Sequence, residues 1–294
     1  MNPFFVTDFS ISDSLKTVRK SVLIYETIII FQDIKELNMG GITELGIYEG
    51  IFSNVYANMK NSAQELDYYI ENAFCVGKSI LEIACGDGGN YMIPMAKKGF
   101  EVDGIEISKS MISRFYEKQN RLSEKVKNRL NIYNADIFEY ETEKQYDLIT
   151  IPSTTICLLA DDEVRTKNLF RKIYKWLKPG GRFMFDYRVD QSLTSEFISP
   201  IFSEVDKKMP YVMFMQEFNN IIVGRGIVNM YVETMENGEP KKYIASSNKK
   251  IITDSLVKNL LQEIDFQLHN TYMVEMKNAK VKLIVLEKEI EKNE

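Results

Sequence analysis

Ser79-Ile80-Leu81-Glu82-Ile83-Ala84-Cys85-Gly86-Asp87-Gly88-Gly89-Asn90 is the stretch that decides the fold. Its first half is an apolar run the length of one buried strand, and its second half is a turn built largely of glycine. Glycine lets backbone approach a ligand closely, and this turn opens a helix, Asn90 to Lys98, that Gly99 stops. A helix N-terminus after such a turn offers N–H groups with no partner inside the helix, a ready seat for a carboxylate or phosphate. The same turn also serves tight packing, so the flanking sequence must decide.

Working outward, FEVDGIEI (100–107) reads as the next strand. It places Glu106 20 residues beyond Gly86, where a carboxylate can accept both hydroxyls of a ribose. Ser108 N-caps a helix carrying Met111, Ile112 and Phe115, after which LNIYNADI (130–137), YDLITIP (146–152) and GRFMFDYR (181–188) read as further strands. Between the last two lies a helix, Glu163 to Leu177, closed by Lys178-Pro179-Gly180-Gly181. Such alternation means a parallel sheet with helices on both faces, which binds ligands beyond the carboxyl ends of its strands. There Asp136 can accept from an adenine amino group, with Ile107 and Ile137 covering the ring faces.

After Arg188 the pattern changes. YVMFMQEF (211–218), IIVGRGIVNMYVET (221–234) and KKYIASS (241–247) read as strands without helices, joined at Asn219-Asn220 and Asn237-Gly238, an inserted antiparallel cap. A helix, Asp254 to Asp265, capped near Thr253, and a terminal hairpin, FQLHNTYMVEM (266–276) and VKLIVLEKE (281–289), complete the core. On the N-terminal side, apolar residues recur at helical spacing from Ser14 to Leu37. A second helical stretch, Leu45 to Phe74, carries Tyr48, Tyr56, Tyr68 and Tyr69.

With 294 residues, 45% hydrophobic and 27% charged, the chain has room for one large α/β unit with an insertion. A net charge of −5 argues against a DNA or RNA duplex as substrate. Cys75, Cys85 and Cys157 form no CxxC pair and are expected as free thiols in a cytoplasmic protein. The apolar run Ser21 to Phe31 is too short for a bilayer and holds Glu26, so no membrane span is expected.

With these markers in order, the sequence resembles the class I S-adenosylmethionine-dependent methyltransferases over roughly Ser79 to Arg188 and the terminal hairpin. LEIACGDGGN resembles that family's E-x-G-x-G-x-G loop, with Ala84 where its first Gly stands. GIEIS resembles its acidic ribose position, NADI its adenine position, and LKPGGRFMFD the entry to its fifth strand. The resemblance implies a Rossmann-like, doubly wound seven-stranded sheet, parallel with a terminal antiparallel hairpin. It divides into an N-terminal helical lid (1–75), a cofactor-binding core (76–190), an antiparallel β cap (191–248) and a completing segment (249–294). It implies S-adenosylmethionine as cofactor and S-adenosylhomocysteine as product; no metal is expected, because Asp147 begins its strand and TIPSTT (150–155) at the ligand end offers no carboxylate cluster for a hard cation. Glu82, Ala84, Gly86, Gly88, Glu106, Ile107, Asp136, Ile137, Pro152, Ser153 and Tyr56 would form the cofactor site.

Methyl transfer from a sulfonium is an in-line displacement that needs alignment and exclusion of water more than a base. The only histidine, His269, falls in the second-to-last strand region, where a lone His is more often a packed or surface residue than a catalyst, and a neutral amine needs no proton removed, so an amine nitrogen on a small molecule is the expected acceptor. Element order resembles the glycine-type and aminosugar-type N-methyltransferases. Tyr48, Tyr56, Tyr187 and Arg188 are expected to line the acceptor pocket, with Asp186 and Tyr187 as catalytic candidates, Asp186 steering the amine. O-methylation, a nicotinamide-dependent oxidoreductase and a silent cofactor-binding scaffold remain open, as does a homodimer built through residues 14–40.

Overall fold

The computed structural model describes residues 41–58, 63–190, 194–205, 209–276 and 279–290. The helix expected over Ser14 to Leu37, and any dimer contact through 14–40, lie outside the described residues. β1 (Ile42–Glu44) leads into α1 (Gly50–Asn58) and α2 (Leu66–Val76). Strands and helices then alternate through β2 (Ser79–Ile83), α3 (Met92–Lys98), β3 (Glu101–Glu106), α4 (Lys109–Gln119), the short α5 (Glu124–Lys127), β4 (Leu130–Asn134), β5 (Tyr146–Ile151), the short α6 (Ile156–Leu159), α7 (Glu163–Trp176) and β6 (Leu177–Arg188). The strands β7 (Thr194–Val205), β8 (Met209–Asn220), β9 (Arg225–Glu236) and β10 (Glu239–Lys250) follow without helices. α8 (Asp254–Leu261), β11 (Phe266–Met276) and β12 (Ala279–Lys288) end the fold.

The main sheet has seven strands in the order β11-β12-β6-β5-β2-β3-β4. Its β4 to β6 half is parallel, and β12 pairs antiparallel with both β6 and β11. Chain order runs outward from β2 in one direction and from β5 in the other, so the crevice beyond their carboxyl ends is the topological switch point. Local chemistry fixes the helices that flank it. Ser108 Oγ accepts from Met111 N–H to cap α4, Asp162 accepts from Val164 and Arg165 N–H to cap α7, and Gly99 closes α3 in the left-handed conformation. Leu169, Phe170, Ile173 and Trp176 of α7 pack on Ile149, Ile151, Phe183 and Phe185, while Tyr69, Met92, Ala96 and Phe115 cover the other face over Ile80, Val102 and Leu148.

The cap is a second sheet, β1-β10-β9-β8-β7, in which β1 runs parallel to β10 and the remaining pairs are antiparallel. Three details differ from the sequence reading. The stretch Leu45 to Phe74 holds two helices rather than one. The run 221–234 is broken by a turn at 221–224, because Asn220 Oδ1 accepts the Val223 N–H and Gly224 takes φ 70°, leaving Asn219 and Asn220 as the end of β8. The edge strand β7 had no reading. Phe52 and Val55 of α1 are fully buried against Met213, Met230 and Val232, so α1 packs on the second sheet.

Candidate active site

The glycine turn takes its shape from left-handed backbone at Ala84 (φ 54°), Gly86 (φ 57°) and Gly88 (φ 68°). Ala84 bears the steric cost that the other two avoid. A side chain at Gly86 would meet nothing within 4 Å, so that position opens onto free space. Glu106, at the end of β3, is pinned beside the turn: its Oε2 accepts Gly86 N–H and its Oε1 accepts Ser108 N–H, each at 2.8 Å. Ile107 N–H adds a third pull on this carboxylate, whose roughly four acceptor sites still leave room for a further donor. Burial raises the Glu106 carboxyl pKa against the pull of those N–H groups. Glu82 is 2% exposed, is driven well above the usual carboxylate range by burial, and has one oxygen with no hydrogen-bond partner among the described residues. A buried acceptor in that state calls for a cationic donor.

A cavity of about 40 Å³ lies at this turn, lined by Tyr56, Glu82, Ala84, Gly86, Tyr91, Pro152, Ser153 and Thr155 among others. Beyond Glu106 the crevice runs out to Ile107, 66% exposed. The segment entering α1 is tied to the start of α4, with Ser108 Oγ donating to the Tyr48 carbonyl at 2.8 Å and Gly50 N–H donating to Ser110 Oγ at 3.0 Å. Tyr56 meets Tyr48 edge to face at 5.2 Å. Burial, then the charges of Asp87, Glu106, Glu82 and Glu65, push its phenol up to about 12.

A second cavity of about 210 Å³ shares Tyr56, Ser153 and Thr155 with the first and continues under the cap to Tyr48, Cys157, Arg188, Glu217, Ser247 and Lys249. Burial acts to raise the Glu217 carboxyl, but its ion pair with Lys249, the hydrogen bond from Asn219 and the nearby Arg188 guanidinium together hold it below its ordinary value. Burial pushes the Cys157 thiol up to about 11. The loop shared by the two cavities is strained: Ser153 and Thr154 are consecutive non-glycine residues at φ 58° and 56°. Asp186, with no exposed surface, holds it from behind, accepting Thr154 N–H at 2.6 Å and Tyr69 O–H at 2.7 Å. Burial pushes this carboxyl up to about 7 against both bonds.

The structure thus brings Tyr56, Glu82, Ala84, Gly86, Pro152 and Ser153 together, with Gly88 and Glu106 adjoining, and it places Tyr48, Tyr56 and Arg188 in the second cavity. Two expected residues stand elsewhere. Adjacent strand residues point to opposite faces, so Tyr187 turns away from the cavity, donates to Asp254 at 2.6 Å and lines a groove beside α8. Asp186 lies behind the loop with both oxygens engaged, which suits it to positioning rather than contact with an acceptor. Asp136 accepts Phe138 N–H within its own loop, and Ile137 is buried in the core. His269 is on β11 against Glu287. Sequence reasoning missed Glu65, Tyr91, Glu217 and Lys249. Only Tyr91, the residue that opens α3, had a local signal.

Residues 80–181 match the family model described as a methyltransferase domain. The chain carries a class I S-adenosylmethionine-dependent methyltransferase domain. YqeM of Bacillus subtilis (strain 168) is 28% identical to it over 173 residues, 56% of this chain and 65% of that one. Phosphoethanolamine N-methyltransferase 1 of Arabidopsis thaliana is 25% identical over 187 residues, 63% of this chain and 36% of that one. The chain therefore spans only part of the length of these curated relatives. Among solved structures, the sugar N-methyltransferase KedS8 from Streptoalloteichus superposes with TM-score 0.66 at 15% identity, over 83% of this chain and 94% of that one, a likeness of fold. The cofactor of the methyltransferase domain is S-adenosylmethionine. The residues present fit it, since an orphaned buried carboxylate oxygen on Glu82, the open face of Gly86 and the free lone pairs of Glu106 supply what an ammonium, a close-lying chain and a ribose require. No helix among the described residues is long and apolar enough to cross a membrane.

Proposed function

We propose that the protein transfers a methyl group from S-adenosylmethionine to an amine nitrogen of a small molecule. The observation that carries this reading is the junction of the two cavities at Tyr56, Ser153 and Thr155: one adjoins the glycine turn, and the other is roofed by the cap. Bound there, the cofactor supplies an electrophilic methyl. Glu82 would take its ammonium, Gly86 and Gly88 its amino-acid chain and Glu106 its ribose, while the lid and cap exclude water.

The chemistry of the second cavity supports nitrogen over oxygen. Tyr48 and Tyr56 are held as phenols by burial, Cys157 as a thiol by burial, and Glu217 as a weakly basic carboxylate by Lys249. None is a ready base for an alcohol, whereas a neutral amine attacks with its own lone pair. Glu217, rather than Asp186, is the carboxylate that lines this cavity and can steer an amine. A screen of amines, alcohols and carboxylates, read as S-adenosylhomocysteine release, tests the reading. Turnover confined to alcohols or carboxylates would refute the nitrogen acceptor, and cofactor binding without turnover on any class would favour a scaffold.

A further inference from the structure

Three charged side chains line the second cavity: Arg188 at the end of β6, Glu217 on β8 and Lys249 on β10. Asn219, Gly226 and Lys249 are paired across β8, β9 and β10, and Glu217 lies two residues before Asn219, so all share one face of the cap sheet. Gly226 is what lets the two charges meet. A Cβ there would stand 2.7 Å from Lys249 Cε, so the lysine stem crosses β9 through the space the glycine leaves and reaches Glu217. The donors then converge on one oxygen: Glu217 Oε1 pairs with Lys249, accepts Asn219 Nδ2–H at 3.0 Å and lies 3.7 Å from Arg188 Nη1. Its lowered pKa keeps this carboxylate ionised.

What the cluster leaves unused is of both signs. Glu217 Oε2 and Arg188 Nη1 have no hydrogen-bond partner among the described residues, since Asp190 engages the arginine through Nε at 3.1 Å and Nη2 at 3.3 Å. Lys249 has three N–H groups and directs one at Glu217. Within the cluster the two cations are balanced by Glu217 and Asp190, so no excess charge favours a plain ammonium or a plain anion. A ligand that fits must supply a donor for Glu217 Oε2 and an anion for the cationic N–H groups at once. Because Lys249 and Arg188 both approach the same Glu217 oxygen, those two ligand groups stand only a few bonds apart. The cavity, about 210 Å³, is smaller than a site for a drug-sized molecule.

We infer that the acceptor is a small amine that carries its own anionic group, a carboxylate or a phosphate, a few bonds from the nitrogen: the anion seats on Lys249 and Arg188 Nη1, and Glu217 Oε2 accepts an N–H of the amine. This rests on the methyl-transfer reading. The test measures S-adenosylhomocysteine release with glycine, β-alanine and 2-aminoethyl phosphate against their neutral counterparts glycinamide, β-alaninamide and 2-aminoethanol, in wild type, Lys249→Met and Arg188→Met. In wild type kcat/KM should favour the charged member of a pair by about tenfold or more, mostly through KM, and the pair that shows this names the anion. In each variant the preference should fall to within about threefold, with wild-type affinity for S-adenosylhomocysteine showing the protein folded. Arg188, 28% exposed, repeats the test where folding is less at stake than at Lys249. Neutral amines used as well as charged ones overturn the inference and leave nitrogen methylation standing. A preference that survives in both variants overturns it too, as does an equal loss on charged and neutral amines, the mark of a merely structural role. Turnover of no amine overturns the inference and the nitrogen acceptor together.

Discussion

Asp186→Asn separates a positioning carboxylate from a catalytic one. Thr154 N–H is fixed backbone and must keep facing an oxygen, so the asparagine amide turns its carbonyl to Thr154 and its NH₂ to Tyr69, whose hydroxyl rotates to accept. The strained loop keeps its anchor. The charge is what changes. Burial raises the Asp186 carboxyl from 3.8 to about 7, so between those values the folded protein holds a proton that the unfolded chain has lost. Stability from this group is fully present below the unfolded pKa and is lost as pH rises through about 7. A tenfold change in proton affinity corresponds to about 1.4 kcal/mol, so the wild type loses roughly 4 kcal/mol that the asparagine variant does not. The two proteins should therefore unfold within about 1 kcal/mol of each other in urea at pH 4. At pH 8 Asp186→Asn should be the more stable by roughly 2–4 kcal/mol. Groups common to both proteins cancel in the difference. A stability difference that is the same at both pH values refutes the reasoning, and loss of S-adenosylhomocysteine binding in the variant refutes the positioning role.

Other perturbations follow from the same geometry. Gly88→Ala puts a methyl 2.8 Å from the Phe115 ring at φ 68° and should lower stability by about 1–3 kcal/mol in thermal or urea unfolding. Ser108→Ala removes both the α4 cap and the tie to Tyr48; a loss of about 1–2 kcal/mol and faster amide exchange over residues 48–58 are expected. Lys249→Met takes from Glu217 the cation that depresses its pKa. The stability contributed by that pair is present above the unfolded carboxylate pKa and lost as pH falls through the depressed one, so the variant should be weaker by about 3 kcal/mol at pH 7, with the difference shrinking once the pH falls below the depressed carboxyl value.

The parts of this protein that are legible in sequence are those whose physics is local. Buried parallel strands read as apolar runs at Ile80 to Ile83 and Leu148 to Ile151, and Ser108, Thr253 and Gly99 announce helix ends with their own chemistry. The glycine turn and Glu106 lie 20 residues apart, and the Gly86–Glu106 hydrogen bond joins them directly. What escaped depends on contacts between distant segments. Glu65 meets Tyr91 across 26 residues, and Glu217 and Lys249 meet across 32. Tyr187 could have been placed from sequence: neighbours on one strand cannot share a face, so Asp186 and Tyr187 were never able to face one pocket together.

Glu106 and the glycine turn would hold the ribose of S-adenosylmethionine, and calorimetric titration of that molecule into wild type and Glu106→Ala tests this most directly. One-site binding to wild type, weakened about 100-fold in the variant by the loss of charged hydrogen bonds to two hydroxyls, is the expected result. Equal affinity in the two proteins, or no binding to wild type, would contradict it.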